Sequence, residues 1–392
     1  MQTTSIRSMG RFYMKLFRSI KIAAAVSAVA LFGAQPALAD VSGQTITGAG
    51  SSFAAPLLAA CSPAWQKATN NTVNYGSGGS GTGRSNADKG IGDFNFSDAS
   101  YTPAKSTIIH APIIAAPVAI AYNLNGASGQ LYLSQQTLSD IFAGKVTKWN
   151  DAEIKADNAG TKPTITYKKD AKGRLLKVKG KPVVLAKTLG VPGIALPSQD
   201  IRVIYRADSS GTTQNLVNLF IAQFPSVWTK ASAGSFASVF PGSSIPLSYS
   251  SASGSAGVSA LAKSTPYSIT YVEASYATSS ALAKAAIKNA SGNFQLPTAG
   301  GTAAFLNSAT ASADGKLTFN YNTTDAGAYV LGIVSYALVD TWSSTDKAKA
   351  TTSFLKYVLS DACVNTNPAL EYSTITGSLL SVDTALLAKM PN

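Results

Sequence analysis

The chain is poor in the residues that most enzyme centres need. Its 392 residues include one histidine and two cysteines. That leaves little for a zinc cluster, and only one candidate base, His110, for a histidine-bearing triad. His110 sits in the strand-like "STIIHAPII" and is expected to be structural. Neither G-x-S-x-G nor G-x-x-x-x-G-K-[ST] occurs, which removes the nucleophile elbow and the P-loop. "GSGGSG" (76–81) does satisfy G-x-G-x-x-G, but the "TGRSNADKG" that follows is poor material for a dinucleotide-binding helix. Charged residues make up only 13% of the chain, so Ser, Thr, Ala and Gly carry much of its surface. The apolar run "IAAAVSAVALFG" (22–33) stops short of the ~20 residues a membrane helix requires.

That run has another use. "MKLFRSIK" (14–21) is a basic lead, and "ALA" (37–39) is a small-x-small cleavage site. Residues 1–39 therefore read as a secretory signal peptide, with cleavage before Asp40 and translation possibly starting at Met14. No cysteine follows the cleavage site, so no lipid anchor is expected. The formal charge is +13, but Arg7, Arg11, Lys15, Arg18 and Lys21 lie in the leader, leaving 27 basic against 19 acidic residues, a net +8. That excess favours anionic partners without specifying nucleic acid. Cys61 and Cys363 could form one long-range bridge in an oxidising compartment or stay as two buried thiols.

The chain is long enough for two compact domains. Strand-like and helix-like runs alternate. "QTITGAG" (44–50), "TVNYGSG" (72–78), "DFNFSDA" (93–99) and "IIAAPVAIAYNL" (113–124) read as strands. Residues 52–69 and the start of 134–151 read as helices, and 201–224 as strand, turn and helix. The alternation predicts α/β layers with a largely parallel sheet. "TYKKDAKGRLLKVKGKPVVL" (166–185) reads as an exposed hairpin around "DAKG", with seven basic residues and one acid from Lys168 to Lys181. It is either a solvated hairpin or a docking surface for an anionic partner.

Four loops share one design: a strand ends, glycines or hydroxyls follow, and often a helix begins. They are "GAGSSF" (48–53), "GSGGSGTGRS" (76–85), "FSDAS" (96–100) and "RADSSGTT" (206–213). A helix start offers unpaired N–H groups and the positive end of the macrodipole, so such loops make anion sites. One loop alone would be only a good N-cap. Arg206 is the natural partner for the anion, with Asp208 placed to hold it or merely to form a surface ion pair. Asp98 beside an anion makes sense if the ligand carries a proton: hydrogen phosphate can donate to it and sulfate cannot. Its bland alternative is an Asx-turn residue.

These motifs resemble the periplasmic phosphate-binding proteins of ABC-type phosphate uptake systems, over nearly all of the chain beyond the leader. "TGAGSSFAAPLLAACSPAWQKATNNTVNYGSGGSGTGR", "DFNFSDASYT", "LSDIFAGKVTKWND", "YRADSSGTTQNLVNLF" and "YSITYVEASYA" carry the resemblance. It implies an α/β, two-lobed periplasmic-binding-protein fold, with mixed sheets flanked by helices and the ligand cleft between lobes. Lobe one would be 40–126 plus 335–392 and lobe two 127–334, with crossings near Asn123–Gly126 and Ser335–Val339. Both cysteines then fall on lobe one, which favours the bridge. The implied phosphate shell is Ser52 and Phe53 (backbone N–H, with the Ser52 hydroxyl), Ser80, Asp98 as proton acceptor, Arg206 steadied by Asp208, and Ser210, Gly211 and Thr212. The family usually has Thr at Ser52, Gly and apolar residues where Thr82 and Arg84 stand, and no basic insertion at about 161–195.

The implied partners are inorganic phosphate and the membrane subunits of an ABC transporter. The chain is expected to act as a periplasmic monomer without nucleic acid, cofactor or metal, and not as an enzyme. Two other readings stay open: a secreted or surface interaction protein that keeps the fold and uses the hairpin, and a phosphoester hydrolase using a site hydroxyl.

Overall fold

In the N-terminal part of the fold, the strand β1 (Thr45–Gly50) leads through a serine-rich turn into helix α1 (Ala55–Thr69). The computed structural model describes residues 41–391 apart from 169, 171–175, 179–180 and 342–343, so residues 1–39, read above as a signal peptide, lie outside the described residues. Helix α1 begins where Pro56 fits, at the first helical turn, and it buries Leu57, Leu58, Cys61 and Trp65 on one face. Then follow β2 (Thr72–Gly76), α2 (Ser80–Lys89), β3 (Phe94–Ser97) and the sixteen-residue β4 (Ile108–Asn123). After β4 come β5 (Tyr132–Leu133), α3 (Gln135–Phe142) and α4 (Ala152–Asn158).

The basic segment forms β6 (Thr161–Tyr167), β7 (Lys177–Val178), β8 (Lys181–Pro182) and β9 (Val184–Pro192). β6 pairs antiparallel with β9, and β7 with β8, while the Leu176 N–H donates to the Lys168 carbonyl at 2.8 Å, on either side of "DAKG". Lys169, Lys172, Arg174 and Lys179 lie outside the described residues. The hairpin is anchored at two points. Buried Tyr167 donates its hydroxyl to the Gly327 carbonyl at 2.6 Å, and Lys177 Nζ donates to the Thr374 side chain. Val178 is exposed.

The chain then runs through β10 (Arg202–Arg206), α5 (Gly211–Gln223), α6 (Phe236–Val239), β11 (Ser250–Ala252), α7 (Gly254–Ser264), β12 (Ser268–Glu273) and α8 (Ala274–Ser279). A late strand, Gly332–Asp340, precedes the C-terminal helices Asp346–Leu359, Asp361–Val364 and Gly377–Leu387.

The main sheet has nine strands in the order β11-β10-β12-β4-late strand-β3-β1-β2, with Ala283–Lys284 added against β4. Its flanks are parallel: β1 with β2 and β3, and β10 with β11 and β12. Its centre is antiparallel, because β4 and the late strand oppose each other and also β12 and β3. The sheet is therefore mixed, not largely parallel. Alternation of strands and helices reports the βαβ flanks but is silent on the two long strands between them. β4 pairs with the late strand up to Pro117 and with β12 from Val118 onward, so one strand serves both halves of the sheet. The resemblance put the first crossing at 123–126; this exchange of partners comes earlier.

β4 is buried from Ile108 to Tyr122, as expected of a strand covered on both faces. A bridge between Cys61 and Cys363, with Cα atoms 5.3 Å apart, fastens α1 to the short helix Asp361–Val364.

Candidate functional site

The site lies where the two halves of the sheet meet, and the starts of four helices converge on it. Ser52, just before α1, has its Oγ 2.9 Å from Ser255 Oγ and accepts from the Ser255 N–H at 3.1 Å, at the start of α7. Ser80 opens α2, and Thr212 lies in the first turn of α5; both donate to Asp98 Oδ2 at 3.3 Å. The residues that precede α1, α2 and α7 make no cap with their own side chains, and the first two N–H groups of α7 go to Asp208 and Ser52, whereas Ser210 caps α5 by accepting from the Thr213 N–H at 3.1 Å. Each start brings N–H groups and a positive dipole end to one place.

Asp98 is 3% exposed and stands at the centre. Its Oδ1 accepts from Ser335 at 2.7 Å and from Ser51, so that oxygen is filled by two short bonds. Its Oδ2 holds only the two long contacts from Ser80 and Thr212. Burial raises its pKa above the usual carboxylate value, against the opposing pull of these hydroxyls and of Arg206. The Asp98 carbonyl accepts from Asn215 on α5 at 2.6 Å, which locks the β3 end to the start of α5. Gly211 makes that approach possible. A Cβ there would come within 2.5 Å of Ser80 Oγ and 2.8 Å of Asp98 Cβ.

Arg206 ends β10 and is 3% exposed. Its Nε and one terminal nitrogen grip Asp208 at 2.7 and 2.5 Å, a bidentate pair. The other terminal nitrogen reaches Ser255 Oγ at 3.4 Å. Burial alone would raise Asp208, but the guanidinium takes its carboxyl below the usual range. Asp208 is itself fixed by the Gly254 N–H at 2.9 Å.

The structure thus places Ser52, Arg206 and Asp208 in one bonded cluster through Ser255 and Gly254, and Ser80, Asp98 and Thr212 in a second, with Arg206 acting on Asp98 through space and with Phe53, Ser210 and Gly211 in the same turns. Ser210 has little backbone left to offer, since its N–H is given to the Gly234 carbonyl at 3.0 Å. Of the four loops singled out in the sequence, three are helix starts. "FSDAS" is followed by no helix.

The fourth helix start is one that the sequence reading passed over. "ASGSAG" (252–257) follows a strand and carries a glycine and hydroxyls, the same design as the others, but it lies in a long Ser/Ala/Gly stretch that hides it. Glu273 was missed too. It is fully buried, Ser275 Oγ lies 3.5 Å from its Oε1, and Oε2 has no hydrogen-bond partner. Burial drives its pKa well above the usual value, so the folded protein favours the neutral acid. His110 is buried against Tyr101 and Tyr336 and lowered by burial to about 4, a structural imidazole remote from the network.

A family model described as the PBP superfamily domain matches residues 34–362. The phosphate-binding protein PstS of Xylella fastidiosa is 29% identical over 320 residues, covering 80% of this chain and 76% of that protein. The PstS of Pasteurella multocida is 33% identical, over 65% of this chain and 64% of its own length, just under two thirds. Among solved structures, a high-affinity periplasmic phosphate-binding protein with bound phosphate aligns with a TM-score of 0.61 at 17% identity, covering 89% of this chain and 99% of that one. A putative phosphate ABC transporter substrate-binding protein from Clostridium perfringens gives 0.55 at 14% identity, covering 85% and 100%. Likeness at that identity speaks to fold alone. The match over residues 34–362, together with a mixed sheet whose two halves share β4, places this chain in the PBP superfamily.

Proposed function

We propose that the protein captures inorganic phosphate between the two halves of its sheet and delivers it to an ABC-type membrane transporter, as an exported, periplasmic binding protein. The observation that carries this reading is Asp98, a buried carboxylate at the meeting point of four helix starts, with Oδ2 the less occupied oxygen. An anion would be repelled there unless it brought a proton for Oδ2. Phosphate near neutral pH has one; sulfate does not. Ser52 and Phe53, Ser80, Arg206, and Ser210 to Thr212 supply the donors, and Asp208 holds Arg206 in its bidentate geometry. Lobe one would carry the β1–β3 flank with the C-terminal helices, and lobe two the β10–β12 flank. Ligand contacts from both favour a closed form over an open one.

The relatives named for phosphate binding support the same ligand. No imidazole or basic amine bonds to Ser51, Ser80 or Ser210 among the described residues, and the one base that Ser51 and Ser80 meet, Asp98, is shared among four hydroxyls instead of being paired with one nucleophile. A binding role therefore fits better than phosphoester hydrolysis.

Calorimetric titration with phosphate, arsenate and sulfate at neutral pH tests the reading. Phosphate should bind saturably in excess sulfate, and arsenate, which matches it in shape and protonation, should compete. Asp98→Asn should narrow the preference for phosphate over sulfate. Arg206→Ala should weaken phosphate binding by at least about 100-fold, the scale of a lost buried charged contact. Phosphate binding abolished by equimolar sulfate in the unmodified protein would sink the role given to Asp98.

A further inference from the structure

Arg84 is unexplained by the clusters above. It lies one turn into α2, beyond Ser80. One terminal nitrogen donates to Ser97 Oγ at 3.3 Å, beside Asp98 on its own half of the sheet. The same nitrogen donates to Gln214 Oε1 at 3.3 Å, and the second donates to Ser209 Oγ at 3.3 Å. Gln214 and Ser209 belong to the other half, on α5 and the turn before it. One planar fork therefore spans the line where the halves meet.

The surrounding backbone is shaped for this contact. The Gly81 N–H donates to the Ser209 carbonyl at 2.9 Å, and a Cβ on Gly81 would come within 2.5 Å of Ser209 Cβ. Only glycine lets the first turn of α2 lie directly on the turn after β10. Arg84 then reaches across at the edge of that contact.

Charge makes the second argument. The charge of Arg206 is largely matched by its bidentate partner Asp208. Ionised Asp98 then leaves the shell with one net negative charge, an unfavourable setting for an anion. Arg84 restores the balance. Its three partners are hydroxyl and amide oxygens, and among the described residues no carboxylate forms an ion pair with it. Asp98 is close enough to act on it through space: burial lowers the guanidinium pKa, and the Asp98 charge opposes that.

We propose that Arg84 is a clasp and a charge determinant of this site, bonding across the two halves only when they meet and supplying the positive charge that lets the shell hold a doubly charged hydrogen phosphate. The inference rests on the phosphate reading and names the form of the ligand that the site takes. Because parting the halves would break its contacts to Gln214 and Ser209, Arg84 acts on release more than on capture.

The test compares the unmodified protein with Arg84→Gln and Arg84→Lys, using inorganic phosphate in calorimetry and stopped-flow release at low and high salt. Arg84→Gln should bind roughly 10- to 100-fold more weakly, the range for a hydrogen bond to a charged group. Most of that loss should be faster release, and the dependence of affinity on salt should shrink. Arg84→Lys keeps the charge without the fork, so it should keep the salt dependence yet release faster than the unmodified protein. Thermal unfolding of both variants, unchanged from the parent, separates these effects from misfolding. Unmodified protein that binds phosphate while Arg84→Gln binds and releases it equally well overturns the inference alone. Unmodified protein that does not bind phosphate overturns the reading beneath it as well.

Discussion

Two buried titratable residues away from the site, Asp383 and His110, give the protein a dependence on pH that its ligand does not explain. Asp383 lies on the helix Gly377–Leu387, is fully buried, and has no hydrogen-bond partner on either oxygen. Burial lifts its carboxyl to about 8. In the unfolded chain the same group titrates near 3.9. Between those values the folded protein keeps a proton that the unfolded chain has lost, so stability falls as pH rises from about 4 to about 8. His110 works the other way, because its folded value of about 4 lies below the ordinary 6.5. It makes stability rise with pH across that narrower window and contributes no slope above it. Asp383→Asn should remove the fall. Its melting temperature should exceed that of the unmodified protein at pH 8 and converge with it toward pH 4. Equal melting curves at pH 8 would mean that Asp383 is not protonated in the fold.

Residue chemistry was the more legible part of the site. Arg206, Asp208, Asp98 and the hydroxyls could be named because their types already posed a question, namely what a carboxylate does beside an anion. Glu273 could not, because nothing in "YSITYVEASYA" tells a buried acid from an exposed one. Arg84 could be flagged as a departure, but the sequence offered no means to place its side chain. Two of its three partners, Gln214 and Ser209, lie more than a hundred residues away, on a part of the chain that only tertiary structure brings near.

Elements were legible wherever a local signal marked them. β1, α1, β2, β10 and α5 fall within a few residues of where periodicity, Pro56 and the Ser210 cap place them. α7 was hidden because Ser, Ala and Gly give little contrast between helix face and loop. The antiparallel centre was hidden for another reason: strand direction depends on connections, and "IIAAPVAIAYNL" reads the same in either direction. In the basic segment, strand content was legible, and Lys168 and Leu176 on either side of "DAKG" do meet, but the second pairing of β7 with β8 and the docking of Lys177 on Thr374 and Tyr167 on Gly327 were not legible.

The Cys61–Cys363 bridge acts on the molecule as a whole, since it closes 302 residues of chain. Such a link is expected to stabilise mainly by limiting the unfolded chain. Replacing both cysteines by serine should lower stability by about 2–5 kcal/mol, read as an earlier midpoint in urea unfolding. Calorimetric affinity for phosphate should stay near that of the unmodified protein, because neither sulfur touches the site network. A large loss of affinity with an unchanged midpoint would contradict both statements.

The late strand Gly332–Asp340 lies between β3 and β4 in the sheet, though it follows them by more than two hundred residues in the chain. A chain that emerges N-terminus first can form the β1–β3 flank early. It must then carry two open strand edges until almost everything else has been delivered. Unpaired edges are where chains aggregate or mispair. The order of synthesis thus works against completion of the sheet before the whole polypeptide is present. Under the proposed role of an exported protein, that delay is an asset: the chain stays threadable until Gly332–Asp340 arrives, and the late strand and the bridge at residue 363 then close the fold on the far side.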